Sequence, residues 1–510
     1  MEIPATIPAL VEAAGQEYAD REAIVDGDVR LTFAELAARV RDAGAAYISA
    51  GVKPGDPVGL WAPNSVEWVI AALGLLAAGG ILVPINTRFK GDEAAYLLAK
   101  TRATALVSAG EFLGTDYVAL LRASDTALPH LTTHVVLDDK APDGTVAWPE
   151  FLAAADTSVA LPVSKHDDLS DIIFTSGTTG RPKGVMVTHA QSLRVFDTWS
   201  DIVGLQEGDR YLVVNPFFHT FGYKAGILAC LMRGATIVPE PVFDVDRVLA
   251  RIGEERISVI PGPPTLYQSI LDHPRREEHD LSSLRLAVTG AAVVPVVLVE
   301  RMRDELSFDT VLTAYGLTES TGTATMCRRD DDPETIATTS GRAIPDTEVR
   351  IDAPEGDPGE VLVRGYNVML GYFEDDEETA KTIDSEGWLH TGDVGVMDDR
   401  GNVRITDRIK DMFVVGGFNA YPAEIEQVLA RHPGVAEAAV VGVPDERLGE
   451  VGRAFVVPKP GASVHPDEVV AWCRDQMANY KVPRAVVVVD VLPRNASGKV
   501  LKFELREGTA

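Results

Sequence analysis

Phe174-Thr175-Ser176-Gly177-Thr178-Thr179-Gly180-Arg181-Pro182-Lys183-Gly184 follows directly on the apolar run Asp171–Phe174. Hydroxyls, glycines and a lysine crowd together at the end of a predicted strand. Glycine lets successive backbone N–H groups turn toward an anion, hydroxyls add donors, and the ammonium adds a point charge, so the segment suits a polyphosphate. It is not a Walker A loop, because Lys183 comes three residues after Gly180 and is followed by Gly184 rather than Ser or Thr. On composition alone a flexible surface loop stays open.

Outward from this stretch the chain alternates short apolar runs with helical patterns from about residue 20 to about 320. Strands are expected at Val58–Trp61, Ile81–Pro84, Ala105–Val107, Val135–Leu137, Asp171–Phe174, Tyr211–Val214, Thr236–Val238, Val259–Ile260 and Leu284–Val288. A helix is expected at Phe33–Ala50, with Thr32 and Glu35 at capping-box spacing. This alternation predicts α/β layers around largely parallel, buried sheets. From about 340 to 406, Gly359–Gly365 and Gly401–Thr406 read as short strands between turns, the pattern of a small antiparallel barrel. After Asp407 comes a mixed α+β unit of about 100 residues. It has helices at 421–429, where Pro422 is the first helical residue, and 466–478, and strands at Ala438–Val443, Arg453–Val457 and 485–489. The acidic run Glu374–Glu378 is most simply a solvated face.

Composition narrows the function. Hydrophobic residues make up 46% and charged residues 24% of 510, as in ordinary globular proteins. Against 47 Lys+Arg stand 76 Asp+Glu, a net charge of −29, which disfavours nucleic acid and anionic membrane surfaces as partners. Cys230, Cys327 and Cys473 make no C-x-x-C pair, which fits a reducing compartment. The first residues show no signal peptide. Trp68–Ile85 lacks charge but holds Gly74, Gly79, Gly80 and Pro84, so a buried helix and a buried strand are expected there, not a membrane span. A cytoplasmic protein is the expectation.

Further motifs follow in order along the chain. They are Ala314-Tyr315-Gly316-Leu317-Thr318-Glu319, Leu389-His390-Thr391-Gly392-Asp393, Asp407-Arg408-Ile409-Lys410-Asp411 with Gly416-Gly417-Phe418, and Pro493-Arg494-Asn495-Ala496-Ser497-Gly498-Lys499. With the Thr175–Gly184 segment they resemble the signatures of the adenylate-forming superfamily, in its acyl-CoA synthetase branch. The resemblance covers essentially the whole chain. It implies an N-terminal domain, 1–406, of two layered α/β subdomains plus a small β-barrel. A hinge at 407–410 and a small mobile C-terminal domain, 411–510, would follow.

The implied reaction joins a carboxylic acid to CoA through an acyl-adenylate, with ATP, Mg²⁺ and CoA required. The first step brings two anions together, and one preorganised donor in such a site is worth about 2.7–4 kcal/mol of barrier. By resemblance, Lys499 is that cation, between the carboxylate and the α-phosphate. Thr175, Ser176, Gly177, Thr178, Thr179, Gly180 and Lys183 would hold the β- and γ-phosphates, Thr318 the α-phosphate, and Glu319 the Mg²⁺. Tyr315 would stack on adenine beside Gly290, Ala291, Ala292 and Gly316. Asp393 would accept the ribose hydroxyls, with Arg408 near ribose or phosphate. Lys410 would be the hinge residue, and Gly416 and Gly417 would leave room for the pantetheine thiol. Acetylation of Lys499 would remove its charge and switch off the first step.

Asn215–Gly222 surrounds His219 with apolar residues and places no Asp there, which favours an acid lacking an α-amine. By resemblance His219 gates the passage between carboxylate and thiol; a packed core imidazole is the other reading. Phe218, Tyr223, Lys224 and Ile227 are candidates for the acyl pocket; the Lys224 ammonium would reach a ring ketone or the CoA phosphates, and a surface ion pair is the other reading. With no carrier domain after residue 510, CoA is the expected acceptor. A carrier protein is the alternative, and medium-chain or aryl acids are alternative substrates. The segments Gly222–Cys230, Pro261–Ser269 and Ala287–Ala292 resemble the actinobacterial acyl-CoA synthetases of cholesterol catabolism, which act on the propanoate side chain of a steroid C/D-ring indanedione. Relatives of this kind are monomers or homodimers. A kinase motif set and G-x-S-x-G are both absent from the sequence.

Overall fold

The computed structural model describes residues 2–508 apart from 176–181, 291–293, 409–410, 416–417, 446, 478 and 495–499. The chain forms two compact units: Met1–Val349 with Val363–Leu389, and Arg350–Leu362 with His390–Ala510.

In the first unit, four buried strands, Ile81–Pro84, Pro57–Trp61, Ala105–Ser108 and Thr133–Val136, lie parallel and side by side. Leu169–Thr175 extends the sheet in parallel beside Ile81–Pro84, and Lys183–Thr188 then turns back antiparallel. Gly371–Tyr372 closes that edge. Strands buried on both faces need helices over them, and the helix Val66–Ala77 is apolar and buried at every position but Glu67 for that reason. Ser65 caps it by accepting from the Trp68 N–H at 3.1 Å. The uncharged stretch is therefore a buried helix and the strand Ile81–Pro84, as expected. Among the described residues no helix is long and apolar enough to cross a membrane.

Packed against this helix is Phe33–Ser49. Its capping box forms as read: the Glu35 N–H donates to Thr32 Oγ1 at 3.2 Å and the Thr32 N–H to Glu35 Oε2 at 2.8 Å. A second set of strands runs Arg210–Val213, Thr236–Pro239, Glu22–Asp26 and Val29–Thr32, and another runs Leu286–Gly290, Thr310–Tyr315, Thr325–Met326 and Arg342–Ala343. The strand expected at Val259–Ile260 shrinks to one residue, Val259, which bridges Tyr211 and Leu286 in parallel and joins the two sets.

Strands expected to make a barrel form an open four-stranded sheet instead, a half-barrel in the order Thr347–Asp352, Gly359–Gly365, Leu389–Met397, Val403–Arg408. Among the described residues the two end strands do not pair with each other. The rest of the second unit is a five-stranded sheet with the helices Pro422–Leu429 and Pro466–Gln476 beside it. Its long hairpin, Val435–Asp445 with Gly449–Pro458, extends further than the two short runs expected. Asp407 Oδ2 accepts from the Ala423 N–H at 2.7 Å, which places a carboxylate at the positive end of the helix Pro422–Leu429. Cys230, Cys327 and Cys473 are buried and free.

Candidate active site

Thr175 and Lys183 face each other across the mouth of an antiparallel hairpin. The loop between them thus joins strand to strand, where a Walker A loop would enter a helix. Ser176, Gly177, Thr178, Thr179 and Gly180 lie outside the described residues. Lys183 makes an ion pair with Glu378 and lies 5.2 Å from the centre of the Tyr372 ring. The acidic run is thus not merely a solvated face. Glu378, in the first turn of the helix Asp376–Thr382 capped by Asp375, engages Lys183 of the hairpin, and Glu374, just before that helix, engages Arg102.

The turn Thr318–Ser320 carries Glu319. It follows the strand Thr310–Tyr315, which lies parallel to Leu286–Gly290 with Gly290 opposite Ala314. Gly290 and Tyr315 therefore sit at the C-terminal ends of adjacent strands, where α/β sheets bind ligands. At Gly316 an added Cβ would come within 2.3 Å of the Gly322 carbonyl oxygen, so only glycine lets the chain turn there.

One segment ties this corner together. In Met369–Phe373, the Met369 N–H donates to the Glu319 carbonyl at 2.8 Å and the Phe373 N–H to the Gly184 carbonyl at 2.7 Å. Tyr372 Oη donates to Glu319 Oε1 at 2.9 Å. Burial, then the Glu319 and Glu378 carboxylates, push the phenol well above its ordinary pKa, so it stays a neutral donor. Tyr372 and Glu378 carry no motif of their own, and sequence reasoning missed both.

Among the described residues no group of three or more His, Cys, Asp or Glu side chains could hold a metal alone. A single carboxylate beside a lysine fits a Mg²⁺ whose other ligands are phosphate oxygens and water.

His219 lies on a loop held by Asn64, whose Oδ1 accepts from the Phe217 N–H at 2.7 Å and whose Nδ2 donates to the Asn215 carbonyl at 2.9 Å. His219 is exposed to solvent, while neighbouring protein crowds its ring. That crowding lowers its pKa. Its Nδ1 accepts from the Phe221 N–H at 3.3 Å, which leaves Nε2 to carry the proton.

A π-helix, Phe221–Leu228, follows. Gly222 lies so close to the loop that an added Cβ would be 2.1 Å from the Pro216 carbonyl oxygen. Of the acyl-pocket candidates, Phe218 is partly exposed, whereas Tyr223, Lys224 and Ile227 are sealed from solvent. Lys224 makes no surface ion pair: its Nζ lies 2.9 Å from Asp171 Oδ1, and both side chains are 0% exposed.

In the second unit Asp393 is 4% exposed. Its N–H donates to Thr391 Oγ1 at 3.1 Å, and Glu360 Oε1 accepts from the Gly392 N–H at 2.9 Å. The backbone of Arg408 stands opposite Asp393 in the sheet. Ala291, Ala292, Lys410, Gly416, Gly417 and Lys499 lie outside the described residues.

Comparison with known proteins fits this geometry. The family described as AMP-binding enzyme matches residues 11–373, and its C-terminal domain matches 424–499. A Rhodococcus jostii protein named 3-[(3aS,4S,7aS)-7a-methyl-1,5-dioxo-octahydro-1H-inden-4-yl]propanoyl:CoA ligase is 58% identical over 99% of both chains. A Mycobacterium tuberculosis protein of the same name is 54% identical over 98% of both. Among solved structures, an anthranilate CoA ligase in complex with anthranoyl-AMP superposes with a TM-score of 0.91 at 29% identity, covering 99% of this chain and 98% of that one.

Proposed function

Because the chain belongs to the AMP-binding enzyme family and is an AMP-forming acid–thiol ligase that uses ATP, Mg²⁺ and CoA, we propose that the acid it activates is 3-(7a-methyl-1,5-dioxo-octahydro-1H-inden-4-yl)propanoate. The observation that carries this reading is the 58% identity to a ligase named for that acyl group, maintained over 99% of both chains.

In the first half-reaction the substrate carboxylate oxygen attacks the α-phosphorus of ATP and pyrophosphate leaves. In the second, the CoA thiolate attacks the adenylate carbonyl and AMP leaves. Lys183 would exchange Glu378 for the β- and γ-phosphates. That exchange is cheap, because the two side chains are 18% and 30% exposed and the pair is partly solvated. Thr175, Ser176 and the glycines and threonines to Gly180 would surround the same phosphates, and Thr318 would meet the α-phosphate. Tyr372 would keep the Glu319 carboxylate aimed at Mg²⁺, which when bound neutralises phosphate charge. Lys499 would neutralise the charge that builds up between carboxylate and α-phosphate. Tyr315, Gly290, Ala291, Ala292 and Gly316 would enclose adenine, with Asp393 and Arg408 at the ribose.

The division of labour between 1–406 and 411–510, with a pivot at Lys410, belongs to this proposal. So do a thiol passage at Gly416 and Gly417, a gate at His219, a cytoplasmic location and a monomeric or homodimeric state. Loss of the first step on acetylation of Lys499 belongs to it too. The test measures AMP and pyrophosphate release, with and without CoA, over fatty acids, aryl acids and bicyclic ring propanoates. CoA-dependent AMP formation that peaks on the dioxo-indane propanoate is expected; a peak on a linear fatty or aryl acid removes the substrate assignment.

A further inference from the structure

Nine buried side-chain nitrogen or oxygen atoms have no hydrogen-bond partner among the described residues, and six of them gather on or against one helix. Thr220 Oγ1, Tyr223 Oη and Lys224 Nζ belong to the π-helix or the residue before it. Asp171 Oδ1 faces Lys224. Trp68 Nε1 belongs to an indole 6.0 Å from the Tyr223 ring, and Trp199 Nε1 to one 6.0 Å from the Phe221 ring. Lys224 and Asp171 meet at 2.9 Å as an ion pair, so neither charge is alone, and the other four atoms have no hydrogen-bond partner among the described residues. The other carboxylate oxygen, Asp171 Oδ2, accepts from Ser170 Oγ at 2.6 Å.

Packing alone gives no reason for this concentration. A buried polar atom without a partner is costly, and well-packed apolar side chains in place of a buried ion pair are often neutral or stabilising. An eight-residue π-helix is itself uncommon and marks functional sites. Apart from Asp171 every atom in the cluster can donate, so its chemical complement is an acceptor that brings no proton of its own. A ring ketone is such a group. The segment begins directly after His219, which with Phe218 is solvent-accessible, whereas Tyr223 and Lys224 are sealed.

We propose that Tyr223 and Lys224 form the polar end of the acyl pocket, where they donate hydrogen bonds to a ring carbonyl of the bound acid and so select keto-acids over hydrocarbon acids of equal bulk. This rests on the substrate reading above, in which the acid carries two ring ketones. Asp171 acts through Lys224, holding its ammonium in place, and is a positioning residue.

The experiment compares kcat/KM for the dioxo-indane propanoate with that for the same skeleton lacking both ring oxygens. It uses the wild type, Tyr223→Phe, and the double variant Asp171→Leu/Lys224→Met. Removing both charges avoids leaving one buried alone, and Tyr223→Phe keeps the shape if the double variant does not fold. The ratio of the two kcat/KM values should fall about 10- to 100-fold in the double variant and about 3- to 10-fold in Tyr223→Phe, the range expected for charged and neutral hydrogen bonds. A wild-type preference for the diketone that survives both substitutions overturns the polar-end proposal and leaves the substrate reading intact. A wild type that uses the deoxygenated acid equally well overturns the polar-end proposal too, and one that uses neither bicyclic acid overturns the substrate reading.

Discussion

Asp171 and Thr175 lie on the same strand, yet the polar clusters at its two ends obey opposite rules. At the hairpin mouth, Lys183, Glu378, Tyr372 and Glu319 form a chain of partners, partly open to water. Four residues back, Asp171 and Lys224 are sealed at 0% exposure among side chains that lack hydrogen bonds. An ion pair near solvent is worth little and can be traded for a phosphate; a buried pair cannot trade with water at all. The pair proposed to yield to phosphate thus sits where exchange is easy, and the buried Asp171–Lys224 pair sits where exchange is difficult.

The sharpest way to break this contrast is to remove one cation from each cluster. Lys224→Ala leaves the Asp171 carboxylate buried without its partner, and should cost about 3–5 kcal/mol of stability in denaturant titration. Lys183→Ala should leave stability within about 1 kcal/mol, yet reduce ATP-dependent pyrophosphate release about 100- to 1,000-fold. Similar losses of stability in both variants would erase the distinction.

A third test uses acid. His189 accepts from the Ile7 N–H at 3.3 Å. Burial pulls its pKa down to about 4, opposed by Asp171 and Asp168 and aided by Lys224. The unfolded chain takes up this proton near pH 6.5, whereas the folded chain waits until about 4. Stability should therefore drop as pH falls from 6.5 to about 4, by at most about 1.4 kcal/mol per pH unit from this residue. His189→Gln should flatten that slope; an unchanged slope would mean His189 is not held neutral. The smallest effect belongs to Glu378→Gln, which releases Lys183 and should lower the KM for ATP about two- to five-fold, the worth of a partly exposed pair. A raised KM would show that Glu378 orients Lys183 for the nucleotide.

Legibility followed the same divide. Thr32 and Glu35 announced their capping box, Pro422 its helix start, and Ile81–Pro84 its buried strand, because each depends on neighbours a few residues away. Thr175 and Lys183 stood out because phosphate chemistry demands particular residue types at short spacing, and Tyr315 and Glu319 because their block resembles a family signature. Tyr372 and Glu378 stayed hidden, since their partners are distant in sequence and an acidic run ordinarily faces water. Asn64 was missed for a similar reason: its roles are hydrogen bonds to a loop about 150 residues away. Asp171 passed as one more position in an apolar run, and for Lys224 a pocket role and a surface ion pair both stayed open, because the burial of each is explained only by the other.

The sequence alone carried the family and the reaction class, through the resemblance of its five motifs, and the order of most strands and helices, because local propensity and apolar periodicity are written within short windows. Only the tertiary structure decided that the phosphate loop closes a hairpin, that the barrel strands stop at an open sheet, that Val259 joins two sets of strands, and that Phe221–Leu228 winds as a π-helix over a buried ion pair. Each of these depends on long-range pairing, where burial and the need to satisfy polar groups override what any short window prefers.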